Sequence, residues 1–255
     1  WVTGASSGIG AALAKAAADE GARVILSARR VEQLEEIRSS CANPETHVVI
    51  PLDLGDQASV QTAASRVLDD IGVPDLVIHN GGVSQRSLVK DVDLDILRRV
   101  MEVNYFGTVG LTLALLPAMR ERGRGRFVVV SSLTGKFGTP LRSGYAASKH
   151  ALHGFFDSLR AEAWRDGIGV TMICPGFVRT AVSLHAITGD GSAQGTMDAA
   201  TEGGLPPELV ARRILRAAAR GKDEVVIAGR ERVAVWLKRF LPGVLARMLR
   251  KVKVT

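Results

Sequence analysis

Short apolar runs alternate with longer stretches of helical periodicity along most of this chain. Val24-Ile25-Leu26, Val48-Val49-Ile50, Leu76-Val77-Ile78, Phe127-Val128-Val129-Val130, Val170-Thr171-Met172-Ile173 and Val225-Val226-Ile227 are brief and rich in β-branched residues on consecutive positions. That is the pattern of strands buried on both faces. Trp1-Val2 reads as the end of a first strand. Between these runs, residues 9–20, 31–40, 56–71, 94–119 and 143–165 read as helices, with Val31, Leu34 and Ile37 spaced three apart as one example. Strand–helix alternation at this rhythm predicts one α/β domain over residues 1–229. It is expected to be a doubly wound, Rossmann-type parallel sheet with ligands at the carboxyl ends of the strands.

Two segments break the rhythm. Residues 181–206 form a long connection with little apolar periodicity, the kind of segment that serves as a lid or binding loop. Residues 230–255 form an amphipathic helical tail. In it Val233, Trp236, Leu237, Phe240, Leu241, Val244, Leu245, Met248, Leu249 and Val252 recur every three or four residues, and Pro242-Gly243 is expected to kink or break the helix.

Charge sharpens this division. The net charge of +7 comes from 33 Lys/Arg against 26 Asp/Glu. The tail alone holds Arg230, Arg232, Lys238, Arg239, Arg247, Arg250, Lys251 and Lys253 against Glu231, so the excess lies there and the body is neutral. A neutral body argues against a nucleic-acid-binding module. The tail suits a membrane surface, with apolar residues in the acyl boundary and bases on anionic headgroups. The competing reading packs it on the body or on a second copy. Cys41 and Cys174 lack CxxC spacing, so neither a disulfide framework nor a metal site is expected, and two thiols suit an intracellular, reducing compartment. No run of 18 apolar residues predicts a spanning helix. The sequence opens inside a strand, which leaves room for a preceding segment, a targeting signal included.

Chemistry enters at the end of the first strand. Thr3-Gly4-Ala5-Ser6-Ser7-Gly8-Ile9-Gly10 joins a strand to a helix. Small residues there let backbone approach a pyrophosphate, and the free N–H groups of a first helical turn favour its charge. The second strand ends at Ala28-Arg29-Arg30, without the acid that binds a ribose 2′-hydroxyl. Two arginines suit a 2′-phosphate, because the planar guanidinium binds two oxygens at once. Asp53 and Leu54 follow the third strand, with Asp53 placed for an adenine amine. Asn80-Gly81 follows the fourth, close to the adenosine ribose.

Tyr145 and Lys149 are four apart on one helix face. Ser132 follows the fifth strand, and Asn104 lies mid-helix, where asparagine is not favoured. In this order, after a nucleotide-binding turn, the set is specific. It resembles the short-chain dehydrogenase/reductase family across nearly all of residues 1–229. The likeness rests on Gly4/Gly8/Gly10, Asn80-Gly81, Asn104, Ser132, Tyr145/Lys149, and Pro175-Gly176 with Thr180. Finer likeness, in residues 130–136, 175–180 and 183–192, is to the branch of dehydrogenase/reductase family member 7 and the 11-beta-hydroxysteroid dehydrogenases.

The resemblance implies roles. Tyr145 exchanges a proton with the substrate oxygen, and Ser132 hydrogen-bonds that oxygen. Lys149 binds the nicotinamide ribose and lowers the tyrosine pKa. Asn104 holds a water leading from Lys149 to solvent. Pro175, Gly176, Val178 and Thr180 seat the nicotinamide. The branch implies NADP(H), a lipophilic carbonyl or alcohol substrate such as a steroid, retinoid or acyl-lipid ketone, and a homodimer or tetramer. Departures are Ser7, where many NADP-preferring relatives carry a base, and Gly82, where alanine is common. A different class of reading, a non-catalytic NADPH-binding scaffold at a membrane or protein interface, has no use for all four of Asn104, Ser132, Tyr145 and Lys149.

Overall fold

The computed structural model describes residues 1–251. Val252 and Lys253, counted above in the apolar and basic patterns of the tail, lie outside the described residues.

Seven parallel strands form one sheet. In chain order these are β1 (Val2–Thr3), β2 (Ile25–Ser27), β3 (Val48–Val49), β4 (Leu76–His79), then β6 (Gly125–Val130), β7 (Ile168–Pro175) and β9 (Glu224–Ile227). Their order across the sheet is β3-β2-β1-β4-β6-β7-β9. The order reverses between β1 and β4, which opens a crevice at the carboxyl ends there. The doubly wound expectation holds.

The apolar runs are strands because both faces are covered. In β6, Phe127 and Val129 join one core, with Leu111, Leu115, Met119, Leu152 and Phe156. Val128 and Val130 join the other, with Leu13, Leu34, Val210 and Ile214. Successive side chains alternate between faces, so every position must be apolar. The first core is closed by α3 (Gln57–Asp70), α5 (Gly107–Arg122) and α6 (Ser143–Ala163). The second is closed by α1 (Gly8–Asp19), α2 (Val31–Ser39) and α8 (Pro207–Ala219).

The structure corrects the sequence reading in three places. The helix expected over 94–119 is α4 (Leu94–Met101), a π-helical turn at Glu102–Phe106, and α5. The rod from Leu94 to Arg122 is long and apolar enough to cross a bilayer by composition. Leu111, Leu115 and Met119 are nevertheless fully buried against the sheet. Helix α8 goes unnamed in the sequence reading. The lid is also not free of structure. It contains β8 (Ile187–Thr188), which pairs in parallel with β5 (Gln85–Arg86), and a short helix, α7 (Ala199–Glu202). The tail breaks at Pro242-Gly243 as expected, and at one point it also packs on the body. Helices α9 (Val233–Phe240) and α10 (Pro242–Leu249) meet at Leu241, and Leu245 is buried against Leu133 and Phe137.

Candidate active site

A cleft of about 550 Å³ opens at the carboxyl ends of the strands. Its walls include Gly4, Ser6, Ser7, Gly8, Ile9, Arg29, Arg30, Asp53, Leu54, Asn80, Gly81, Ser132, Tyr145, Lys149, Pro175, Gly176, Val178 and Thr180. Of the residues singled out from sequence, Gly10 and Asn104 stand outside this wall, each for a physical reason.

The glycine turn is compact. Gly4 and Gly8 have φ of 67° and 56°, the left-handed region that favours glycine. A β-carbon on Gly10 would lie 2.1 Å from the Gly4 carbonyl oxygen, so Gly10 serves the turn from behind. Asn80 is a buttress: its Nδ2 donates to the carbonyls of Thr3 at 3.1 Å and Gly4 at 3.3 Å. Thr3 Oγ1 in turn accepts from the N–H groups of Asn80 and Gly81. Arg30 reaches over the turn, and its Nη2 donates to Ser6 Oγ at 3.2 Å and Ser7 Oγ at 3.4 Å. Arg29 lines the same end of the cleft and is exposed. Asp53 Oδ1 accepts from Gly55 N–H at 2.9 Å, which shapes the loop after β3. A narrow glycine-floored turn at a helix N-terminus, flanked by two arginines, fits the pyrophosphate of a dinucleotide.

At the other end, Ser132 caps a short turn, its Oγ accepting from Thr134 N–H at 3.1 Å. Tyr145 lies in the first turns of α6, whose start is fixed by Gln85. That fully buried amide oxygen accepts from the N–H groups of Gly144 at 2.7 Å and Tyr145 at 3.4 Å. Lys149 Nζ donates to Val130 O at 2.9 Å and lies 5.6 Å from the centre of the Tyr145 ring. Asn104, buried in the π-helical turn, uses its side chain on Val83 N–H, Val83 O and Ser148 Oγ at 2.8, 2.9 and 3.0 Å. A β-carbon on Gly82 would come within 2.9 Å of Asn104 Oδ1 and 3.7 Å of Lys149 Nζ. The glycine that departs from the usual alanine thus lies where these two residues converge.

Burial draws the Lys149 ammonium down to about 8. Burial also pushes the Tyr145 phenol up, against Arg142, the Ser132 hydroxyl and Arg86, which pull it down. The sequence reading assigns that downward pull to Lys149. Here the ammonium is held on Val130 O, and the opposing cations are two arginines that the reading misses. A phenol, a hydroxyl and an ammonium facing one cleft can exchange a proton with a substrate oxygen.

Arg86 and Arg142 also line the cleft, and both bind Asp198 of the lid. No sequence spacing connects the three. Glu231, the one acid of the tail, accepts from Phe177 N–H at 3.3 Å, directly beside Gly176.

Comparison with known proteins agrees with this architecture. The family model described as short chain dehydrogenase matches residues 1–188. A "Dehydrogenase/reductase SDR family protein 7-like" of Anopheles gambiae is 45% identical, covering 98% of this chain and 81% of that protein. The "Dehydrogenase/reductase SDR family member 7B" of Bos taurus is 43% identical, covering 97% of this chain and 79% of that protein. A solved short-chain dehydrogenase from Streptomyces avermitilis superposes with a TM-score of 0.81 at 31% identity, over 98% of this chain and 95% of that one. The chain belongs to the short-chain dehydrogenase/reductase family, whose members are oxidoreductases that bind a nicotinamide cofactor.

Proposed function

We propose that this protein is an NADP(H)-dependent reductase of lipophilic carbonyl compounds, with Tyr145 as its acid/base. The observation that carries the reading is the meeting of Tyr145, Ser132 and Lys149 in one cleft with the glycine turn. NADPH, when bound, supplies the hydride that reaches the carbonyl carbon. Gly4, Ser6, Ser7, Gly8 and Ile9 would hold its pyrophosphate, and Arg30 with Arg29 its 2′-phosphate. Asp53, Leu54, Asn80 and Gly81 would hold its adenosine, and Pro175, Gly176, Val178, Thr180 and Lys149 its nicotinamide half. Tyr145 gives its phenolic proton to the carbonyl oxygen in reduction and takes it back from the alcohol in oxidation. Ser132 Oγ–H orients that oxygen. Asn104 acts from behind, keeping the Val83 segment beside Lys149.

Arg30 supports NADP(H) over NAD(H), because its guanidinium lies over the serines of the turn. A lipophilic substrate is supported by Phe177, Val178 and Val182 on the lid side of the cleft. The tail supports a membrane surface as the working site. Leu245 packs inward, while Trp236, Phe240, Leu241 and Met248 are more than half exposed among seven bases. Exposed Phe106 and Leu113 support a homodimer or tetramer.

The test is a panel of ketones and aldehydes with NADPH oxidation as readout. Turnover of apolar carbonyls that disappears in Tyr145→Phe is expected. A Tyr145→Phe variant that retains turnover removes the reading.

A further inference from the structure

Arg86 in β5, Arg142 just before α6 and Asp198 in the lid form a buried group of three charges, 8%, 7% and 2% exposed. Asp198 Oδ2 accepts from Arg86 Nε at 3.0 Å, Arg86 Nη2 at 2.6 Å and Arg142 Nη2 at 3.2 Å. Its Oδ1 accepts from Gln194 Nε2 at 2.8 Å. One carboxylate therefore faces two guanidiniums. Arg142 Nε is buried without a partner among the described residues, and the guanidinium lies 5.5 Å from the Phe177 ring centre. A buried positive charge in excess is costly unless something nearby gains from it. Three residues along, one turn of helix from Arg142, is Tyr145.

We propose that Arg142 is a positioning residue for proton transfer, its guanidinium stabilising the deprotonated oxygen of Tyr145, while Asp198 restrains that charge and carries its control to the lid. The inference rests on the reading of Tyr145 as acid/base. The charged and titratable groups on this part of the cleft are Lys149 from α6, Arg142 before it, Arg86 from β5 and His185 from the lid, with Asp198 of the lid paired to both arginines. Lys149 is committed to Val130 O. The three-charge group is the one whose net charge changes with a single residue of the lid. Arg142→Met leaves a neutral Arg86–Asp198 pair. Asp198→Asn leaves two uncompensated guanidiniums. The two changes must therefore move Tyr145 in opposite directions, which a purely structural role would not do.

Tyr145 can be read directly, because the chain holds two tyrosines and the other is Tyr105. In a Tyr105→Phe background, tyrosinate absorbance against pH reports Tyr145 alone, with no substrate needed. Circular dichroism at each pH checks that the chain is folded. Arg142→Met should raise the titration midpoint by about one unit, and Asp198→Asn should lower it by about as much. Arg142→Lys should stay near the parent. The pH profile of kcat/KM for an apolar ketone should shift with the same signs. Equal midpoints in Arg142→Met and Arg142→Lys overturn the proposal, as do shifts of the same sign in Arg142→Met and Asp198→Asn. If Asp198→Asn does not fold, the comparison of Met with Lys at 142 decides alone. Opposite shifts in absorbance with an unmoved rate profile support the electrostatic assignment and remove Tyr145 from the chemistry.

Discussion

Lys149 Nζ donates to the main-chain oxygen of Val130 at 2.9 Å, which fixes the ammonium at the end of β6 while its ring neighbour Tyr145 stays 5.6 Å away. The two residues share a helix face and have separate tasks. Lys149→Met is expected to weaken NADPH binding about tenfold or more and to lower kcat as well, since it removes the proposed nicotinamide-ribose ligand and a buried hydrogen bond. Tyr145→Phe is expected to lower kcat by at least a hundredfold with NADPH affinity within about threefold of the parent. Fluorescence titration of NADPH alongside steady-state kinetics distinguishes the two patterns.

Arg30 and Arg29 differ in placement. Arg30 is tethered to Ser6 and Ser7, and Arg29 is not. Arg30→Ala should therefore cost more NADPH affinity than Arg29→Ala, with a loss of about 1.5–3 kcal/mol for a charged hydrogen-bonding partner. NADH affinity should hardly change in either. Equal losses for the two cofactors would refute the 2′-phosphate clamp.

The glycine turn should tolerate no side chain behind it. Gly10→Ala puts a carbon 2.1 Å from the Gly4 carbonyl oxygen and 2.6 Å from Asn80 Nδ2. Overpacking of this kind costs about 1–3 kcal/mol. Gly154 in α6 is the matched control, with nothing within 4 Å of its added carbon. There Gly→Ala should stabilise by about 0.5–1 kcal/mol. Denaturant midpoints at constant slope test both.

How much was readable in advance follows from how far apart the interacting residues lie. Strands such as β6 announce themselves because a two-sided sheet needs an unbroken apolar run, as at Phe127–Val130. The Tyr145/Lys149 pair and the glycine turn are local and could be read from spacing. Helix α8 was equally readable, since Val210, Ile214 and Ala217 keep a helical period that the sequence reading passes over. Strands β5 and β8 have two residues each, too few for any period to show. The Arg86–Asp198 contact joins residues 112 positions apart. Only the closing of the lid over the strand ends creates it, so no local pattern could have announced it.

Acid should unfold the protein through its histidines before its carboxylates. His79 is buried between Phe127 and Phe156. Its Nε2 is 2.9 Å from Thr112 Oγ1, whose own proton goes to Thr108 O, and its Nδ1 is without a partner among the described residues. That arrangement suits a neutral ring, and burial lowers its pKa to about 3. Burial also lowers His153 to about 4. A folded-state value below the unfolded value of about 6.5 means that the unfolded chain binds more protons in between. This contribution is therefore complete above about pH 6.5 and is lost progressively toward about pH 3. Stability measured by denaturant unfolding should fall across that window, and His79→Gln should flatten the fall.

The outward face of the tail should govern vesicle binding. Trp236→Glu with Phe240→Glu is expected to reduce sedimentation with anionic vesicles at least tenfold, leaving turnover of a soluble ketone unchanged, because both side chains point away from the body. Binding that persists in the double variant would return the tail to a role in packing alone.

The hydrogen bond from Phe177 N–H to Glu231 has a consequence for anyone who shortens this protein. The first residues of the tail brace the strand-end loop on which the nicotinamide would rest, and Leu245 seals the segment just after Ser132. A truncation at residue 230 would loosen the segments at Phe177 and Leu133 and at the same time remove the exposed apolar face of the tail. Point changes on the far side of α9 can alter that exposed face and leave the brace intact, and deletion cannot.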